Sequence, residues 1–405
     1  MHLLPLGTSA KAPMSKLLGH KFGVVRWCSQ NLCTTTTLWR VLLGCAAAFV
    51  VVPTSACRAL FGDAHQVVIE NAAGGPPTLI ASQAPHSAFP GVALVNDSEL
   101  VVVFREGSYH ESEDGSIALV RSTDGGQTFS APVTIFDTPY DDRDPLLVRL
   151  SDGRLAIQFT TLLPDRGHYR AYISFSSDNG RSWTPPRDPD PPPYAHPDGS
   201  RGALLEVAPN ALISPAAVDT ATYFYRSTDG GAAWTFFSQV AARRRQFWEA
   251  TMVQVPGGRL IAAFRTMSPD GNGYVHDAES RDGGAHWSSP RRLPFWGFPQ
   301  HLVLLDSSSV LMTYGYREPP YGGHPPYGVR YRISTDLGRT WTNDQEWIVE
   351  DRSVTIDCGY PWAVVMPDHT VFVAYYVTLE PGKAEVWGRR LSDPRLAGLA
   401  PPPAR

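Results

Sequence analysis

Apolar residues in this chain come in short unbroken runs, not in helical stripes. Leu100-Val-Val-Val-Phe104, Leu260-Ile-Ala-Ala-Phe264 and Val371-Phe-Val-Ala-Tyr375 are aliphatic, β-branched and aromatic. They follow the turn-forming clusters Asn96-Asp-Ser98, Gly257-Gly-Arg259 and Pro367-Asp-His369, and Asp152-Gly-Arg154 and Asp306-Ser-Ser308 repeat the pattern. Runs this short, bounded by such residues, predict strands joined by hairpin turns. No strong amphipathic helical stretch competes after residue 65.

Between these turns lies a second, sharper repeat: Ser122-Thr-Asp-Gly-Gly-Gln-Thr-Phe129, Ser176-Ser-Asp-Asn-Gly-Arg-Ser-Trp183, Ser227-Thr-Asp-Gly-Gly-Ala-Ala-Trp234, Ser280-Arg-Asp-Gly-Gly-Ala-His-Trp287 and Ser334-Thr-Asp-Leu-Gly-Arg-Thr-Trp341. The leading serines step by 54, 51, 53 and 54 residues, so one structural unit is repeated along most of the chain. Gly and Asn accept positive φ, the Asp carboxylate bonds nearby backbone amides, and the closing aromatic anchors the turn. These aspartates read as turn staples, not catalytic acids. Two hairpin turns per period imply four strands per repeat, and four strands in about 50 residues make a propeller blade. A worn sixth box, Leu391-Ser-Asp-Pro394, and the run Gln66-Val-Val-Ile-Glu70 as the strand that closes the ring complete the expectation: an all-β, six-bladed β-propeller of four-stranded antiparallel blades.

The 405 residues would ordinarily suggest two or three domains, but the uninterrupted repeat argues for one. Residues 1–57 differ: five Lys or Arg, no acidic residue, then the apolar run Val41 to Val52 and the small residues Thr54-Ser-Ala56. This predicts an export signal, with the propeller over 58–393 and a disordered tail over 394–405. The product would be secreted, periplasmic or cell-surface, and Cys57 after Thr-Ser-Ala offers a lipoprotein reading with a lipid anchor. Removing the segment leaves 30 basic against 39 acidic residues, a surface that argues against nucleic-acid partners. Only Cys57 and Cys358 would remain, which excludes a disulfide framework. No spacing resembles a zinc site and no glycine-rich loop a phosphate cradle, so no metal and no cofactor is expected. Thr184 to Gly202, with seven prolines, reads as a long loop between blades.

The five boxes resemble the Asp-box repeats of the sialidase superfamily, over roughly residues 80 to 395. The resemblance implies an arginine triad for a substrate carboxylate, a Tyr nucleophile activated by a Glu, and an Asp acid/base, acting on a glycan. Glu249-Ala-Thr-Met-Val-Gln-Val-Pro-Gly-Gly-Arg-Leu-Ile-Ala-Ala-Phe-Arg265 is similar to the segment in which a Glu opens one strand and an Arg ends the next. It gives Glu249 as the base and Arg265 as one anchor. Tyr360, in Gly359-Tyr-Pro-Trp362, takes the place of the nucleophile.

The first blade departs from the pattern, reading Ser87-Ala-Phe-Pro90 where an arginine is usual, with Arg105 ending the next strand. Arg317 and Arg330 compete for the third anchor. Asp114 is the acid/base candidate, with Glu111, Glu113 and Asp144 as competitors. His110, His301 and Asp144 join the substrate-binding candidates. Two functions follow: an exported, monomeric glycoside hydrolase of exo-α-sialidase type working with retention, or a non-catalytic glycan-binding or scaffold propeller that the missing arginine would favour.

Overall fold

The computed structural model describes residues 37–43, 46–52, 68–163, 169–188, 202–218, 220–241, 246–267, 273–317, 326–341 and 345–392. Residues 1–64 form a unit of their own, in which Thr37–Leu43 and Ala46–Val52 pair as an antiparallel hairpin. The expected apolar signal run is therefore divided between two strands. The expected tail lies outside the described residues.

From residue 65 onward the described elements are six successive antiparallel meanders. Blade 1 comprises His86–Leu94, Leu100–Gly107, Ser116–Ser122 and Val133–Phe136. Blade 2 comprises Asp141–Arg149, Leu155–Leu162 and Tyr169–Ser176, with an isolated bridge from Ile173 to Arg187 in place of a full outer strand. Blade 3 runs through Leu205–Ala208, Ala211–Val218, Ala221–Ser227 and Thr235–Ala241, and blade 4 through Gln246–Gln254, Leu260–Met267, Tyr274–Ser280 and Arg291–Trp296. Blade 5 is Gln300–Leu304, Val310–Tyr316, Tyr327–Ser334 and Gln345–Ser353; blade 6 is Gly359–Val365, Val371–Glu380 and Lys383–Leu391. The first strands of the blades surround an axial cavity of about 760 Å³, to which all six blades contribute side chains.

Ring closure differs from the sequence expectation. Val68–Asn71 pairs parallel to Gln345–Ser353 as a fifth strand of blade 5, whereas Thr78–Ala81 pairs antiparallel to Lys383–Leu391 and completes blade 6. The earlier run has the stronger β pattern, but only the later one stands next in the chain to His86–Leu94, where blade 1 begins. The N-terminal strand thus closes the last blade.

Why the apolar runs are unbroken is clear from the packing. Successive side chains of a strand point to opposite faces, and in a middle blade strand both faces are buried. Leu100, Val102 and Phe104 pack toward blade 6, while Val101 and Val103 pack toward blade 2. Likewise Val371, Val373 and Tyr375 face blade 5, and Phe372, Ala374 and Tyr376 face blade 1. Six hydrophobic clusters result, one at each interface between neighbouring blades.

The repeated boxes sit at these interfaces too. In the first box Ser122 Oγ accepts the Gly126 amide at 2.8 Å, and Asp124 Oδ1 accepts the amides of Gln127 and Thr128, each at 2.9 Å. The same pattern recurs at Asp178, Asp229, Asp282 and Asp336. In four of the five boxes the carbonyl at the fourth position accepts an arginine from the preceding blade: Arg390 to Gly125, Arg121 to Asn179, Arg154 to Gly230 and Arg259 to Leu337.

The fifth position packs on that same preceding blade. At Gly126, φ is +90° and a Cβ would lie 2.4 Å from the Phe372 ring of blade 6. Gly258, in a hairpin turn with φ +78°, has open space around it. Gly258→Ala should therefore cost about 1–2 kcal/mol, the left-handed backbone term alone. Gly126→Ala should cost clearly more, because the ring must also move. Urea-unfolding midpoints check this, and equal midpoints for the two variants would refute the packing argument.

Candidate active site

At one end of the axial cavity the first strands of four blades each carry a β-bulge, and each bulge holds a non-glycine residue in the left-handed region. These are Phe89 (φ 56°), Asp144 (φ 52°), Glu249 (φ 44°) and Tyr360 (φ 48°) in blades 1, 2, 4 and 6. Such conformations cost on the order of 1–3 kcal/mol each and persist only where the surroundings over-determine them. A bulge inserts one residue and re-aims its side chain. All four side chains line a single pocket, together with Thr251, Gln300 and Trp362. Gln300 Nε2 holds the Glu249 backbone by donating to its carbonyl at 3.1 Å and to that of Ala263 at 2.9 Å.

Tyr360 Oη donates to Glu249 Oε1 at 2.6 Å, across 111 residues of sequence. Arg265 NH1 donates to the other carboxylate oxygen at 2.9 Å. Arg265 stands opposite Trp248 across the hairpin that turns at Gly257 and Gly258, which brings it beside Glu249. Its guanidinium packs over Trp248 and, at 4.6 Å, over Phe298. Arg317 follows the second strand of blade 5, donates from Nε to the Ile356 carbonyl at 2.7 Å, and lies 5.5 Å from the centre of the Tyr360 ring. It has no carboxylate partner among the described residues. Burial pushes the Tyr360 phenol well above its ordinary value, and the Glu249 charge adds to this. Burial alone would raise Glu249 as well, but Arg265 and the Tyr360 hydroxyl outweigh it and hold the carboxyl below its ordinary value.

Several candidates lie elsewhere. Arg105 is fully buried: Nε donates to Asp141 at 2.7 Å, NH2 to Ser112 Oγ at 2.8 Å and NH1 to the Tyr109 carbonyl at 2.9 Å. It fastens the loop between the second and third strands of blade 1 and turns no donor to the pocket. Arg330 stacks on Tyr316 at 4.5 Å and donates to the Glu350 carbonyl, within blade 5. Asp114 is exposed and staples that blade 1 loop, accepting the Ser108 amide at 3.0 Å and its hydroxyl at 2.5 Å. The Ser108 hydroxyl is the main reason its carboxyl is held down to about 2. Glu111 and Glu113 are exposed in the same loop. His301 stacks on Trp362 at 4.1 Å, accepts the Ala363 amide at Nδ1, and is lowered by burial to about 3, so it is a neutral joint between blades 5 and 6.

Two expected residues, Asp144 and His110, do lie near the pocket, with Arg143, His86 and Asp357, which were not among the candidates, beside them. Arg143 packs 5.2 Å over Phe89 and pairs with Asp141 and Asp144, each at 3.3 Å. Asp144 Oδ1 is buried without a partner among the described residues. His86 and His110 meet on Asp357, His86 Nε2 at 2.9 Å from Oδ2 and His110 Nδ1 at 2.8 Å from Oδ1, and Tyr376 Oη donates to Oδ1 at 2.8 Å. Their donor atoms lie within 4.8 Å of one another, as metal ligands would. Arg105 NH1, however, sits 3.4 Å from His86 Nδ1. A guanidinium only donates, so His86 Nδ1 accepts and its proton is on Nε2, directed at Asp357. The cluster is a hydrogen-bonded relay and fits a cation poorly.

Residues 98–373 match the BNR repeat-like domain family. No curated protein matches the chain. Among solved structures it is similar to a protein of unknown function from Dyadobacter fermentans, at 26% identity over 79% of this chain and 98% of that one, with a TM-score of 0.69. The NanB sialidase of Streptococcus pneumoniae aligns at 13% identity over 79% of this chain and 71% of its own, TM-score 0.61. An α-L-arabinanase of Penicillium chrysogenum, complexed with arabinobiose, aligns at 13% identity over 81% and 99%, TM-score 0.60. At such identities the last two speak for the fold alone. With most of its length matched and its blades arranged as above, the chain belongs to the BNR repeat-like domain family, and its fold is a β-propeller.

Proposed function

We propose that the protein is an exported glycoside hydrolase of sialidase type, removing a terminal acidic sugar with retention at the anomeric carbon. The observation that carries this reading is the 2.6 Å hydrogen bond from Tyr360 to Glu249 at the pocket, with Arg265 on the second carboxylate oxygen. A phenol raised so far by burial is a poor nucleophile until its proton leaves. Glu249, held ionised by Arg265, is placed to take that proton as the oxygen attacks. The attacking group thus begins neutral, so a sugar carboxylate can approach without the repulsion that an anionic nucleophile would impose.

Charge in the pocket supports a singly anionic sugar. Arg143 is compensated by Asp141 and Asp144, and Arg265 by Glu249. Among the described residues Arg317 has no such carboxylate partner, and its positive charge lies beside the Tyr360 ring. A carboxylate held there is anchored next to the nucleophile, as bidentate arginine recognition favours. The unpartnered Asp144 Oδ1 suits a sugar hydroxyl.

With 4-methylumbelliferyl α-N-acetylneuraminide as substrate, Tyr360→Phe and Glu249→Gln should each lower kcat/KM by about 10²-fold or more. The double variant should fall no further than the weaker single variant, because the two side chains act as one unit. Glycan-array binding without turnover by the unaltered protein would favour the non-catalytic reading instead.

The acidic limb of the pH profile should report Glu249. Its lowered folded-state value keeps the base ionised, and the enzyme active, to below the ordinary carboxyl value of 4.5. Arg265→Met removes the strongest influence holding it down, so the limb of kcat/KM should move to higher pH. A limb that stays in place would count against Glu249 as the base.

A further inference from the structure

We propose that His110, oriented by Asp357, is the proton donor to the leaving group and the base that activates water in the second step. The proposal rests on the reading of Tyr360 and Glu249 as the nucleophile pair. In the blade 1 loop that carries His110, Asp114 is bound to Ser108, and Glu111 and Glu113 are exposed. His110, in contrast, faces inward. Its ring meets Phe89 edge-on at 5.2 Å, and the same Phe89 ring lies 4.8 Å from Tyr360. The imidazole and the phenol therefore share one apolar neighbour that lines the pocket. The His110 side chain is 38% exposed, so it stands on the solvent side, where the departing part of a glycoside must extend.

The tautomer follows from the relay. Asp357 receives the Nε2 proton of His86 and the hydroxyl of Tyr376, and with His110 Nδ1 it can only accept. His110 thus keeps a proton on Nδ1 and has Nε2 available. Burial alone would raise Asp357, but its bonds from His110 and His86 hold it well below its ordinary value, so it remains an anion facing His110 Nδ1. The charged and titratable groups around His110 are Asp357, His86 with Arg105 behind it, Tyr376, and Tyr360 beyond Phe89.

The step balances as follows. In the imidazolium form, Nε2–H passes its proton to the glycosidic oxygen as the bond to the anomeric carbon breaks and its electron pair goes to that oxygen. Tyr360 oxygen bonds to the anomeric carbon, and its proton moves to Glu249. In the second step neutral Nε2 takes a proton from water, the water oxygen bonds to the anomeric carbon, and Tyr360 leaves with the proton returned by Glu249. Sugar and alcohol are released with every side chain restored.

Leaving groups separate this role from a structural one. An aryl leaving group departs without protonation, whereas a sugar does not. The full chain is assayed on 4-methylumbelliferyl α-N-acetylneuraminide and on 3′-sialyllactose, and the ratio of the two kcat/KM values is compared between the unaltered protein and His110→Ala. The ratio does not depend on how much of a variant is folded. We expect it to shift by about 10²-fold or more against sialyllactose. An unchanged ratio overturns the proposal. Asp357→Asn, which removes the carboxylate that orients His110, should shift the same ratio in the same direction, and an unchanged ratio also overturns the proposal. If His110→Ala shifts the ratio while Tyr360→Phe remains fully active on the aryl substrate, the donor stands and the nucleophile pair falls. Absence of turnover on both substrates by the unaltered protein overturns both.

Discussion

The site depends on a backbone constraint: the first strands of the blades cannot run straight to the mouth of the ring. In a regular strand the residue at the position of Tyr360 or Glu249 would alternate between blade faces and be lost into an interface. The bulges at Phe89, Asp144, Glu249 and Tyr360 break that alternation and turn one side chain per blade toward the axis. Strain in four strands is accepted because the six interfaces below hold the strands in place. The pocket is thus a property of the ring, since its residues come from separate blades and no single blade contains it.

Within that pocket, charge is distributed in short circuits. Asp141 is shared between Arg105 and Arg143, Glu249 between Arg265 and Tyr360, and Asp357 among His86, His110 and Tyr376. Each charge in these circuits has its partners, as the desolvation penalty requires. Arg317 stands apart: among the described residues it has a carbonyl and two aromatic faces, and no carboxylate. This contrast is why Arg317 is the guanidinium proposed for a ligand, whereas the others have partners within the protein.

The fold was legible because every blade repeats the same two turns, and the apolar runs between them needed only the strand period. Glu249 and Arg265 were legible as neighbours because a single hairpin separates them. Arg105 was harder: its place at a strand end is the same in the sequence whether it points to the axis or beneath the loop, and only Asp141 and Ser112 decide. The His86 and Asp357 pair, 271 residues apart and joined across the seam between blades 6 and 1, leaves no local pattern at all. The closing strand was misplaced for a related reason. Val68–Asn71 and Thr78–Ala81 both read as strands, and which of them reaches blade 6 is decided by chain connectivity.

The arginine clasps between boxes give the ring an unusual dependence on its own topology. Four of the six joints are tied by a guanidinium on a box carbonyl, the tie from Arg390 to Gly125 returns from the last blade to the first, and an apolar cluster fills every joint. In an open array of repeats, stability is roughly a sum of units and nearest-neighbour joints, and a terminal unit can fray. A closed circle has no terminal unit. The first joint to open must be broken while both blades are still held by the rest of the circle, and once it is open, every other joint belongs to a linear array with two free ends. Damage at the seam and damage elsewhere in the ring are then equivalent in kind, and unfolding should be all-or-none even though the chain is built from six nearly independent pieces.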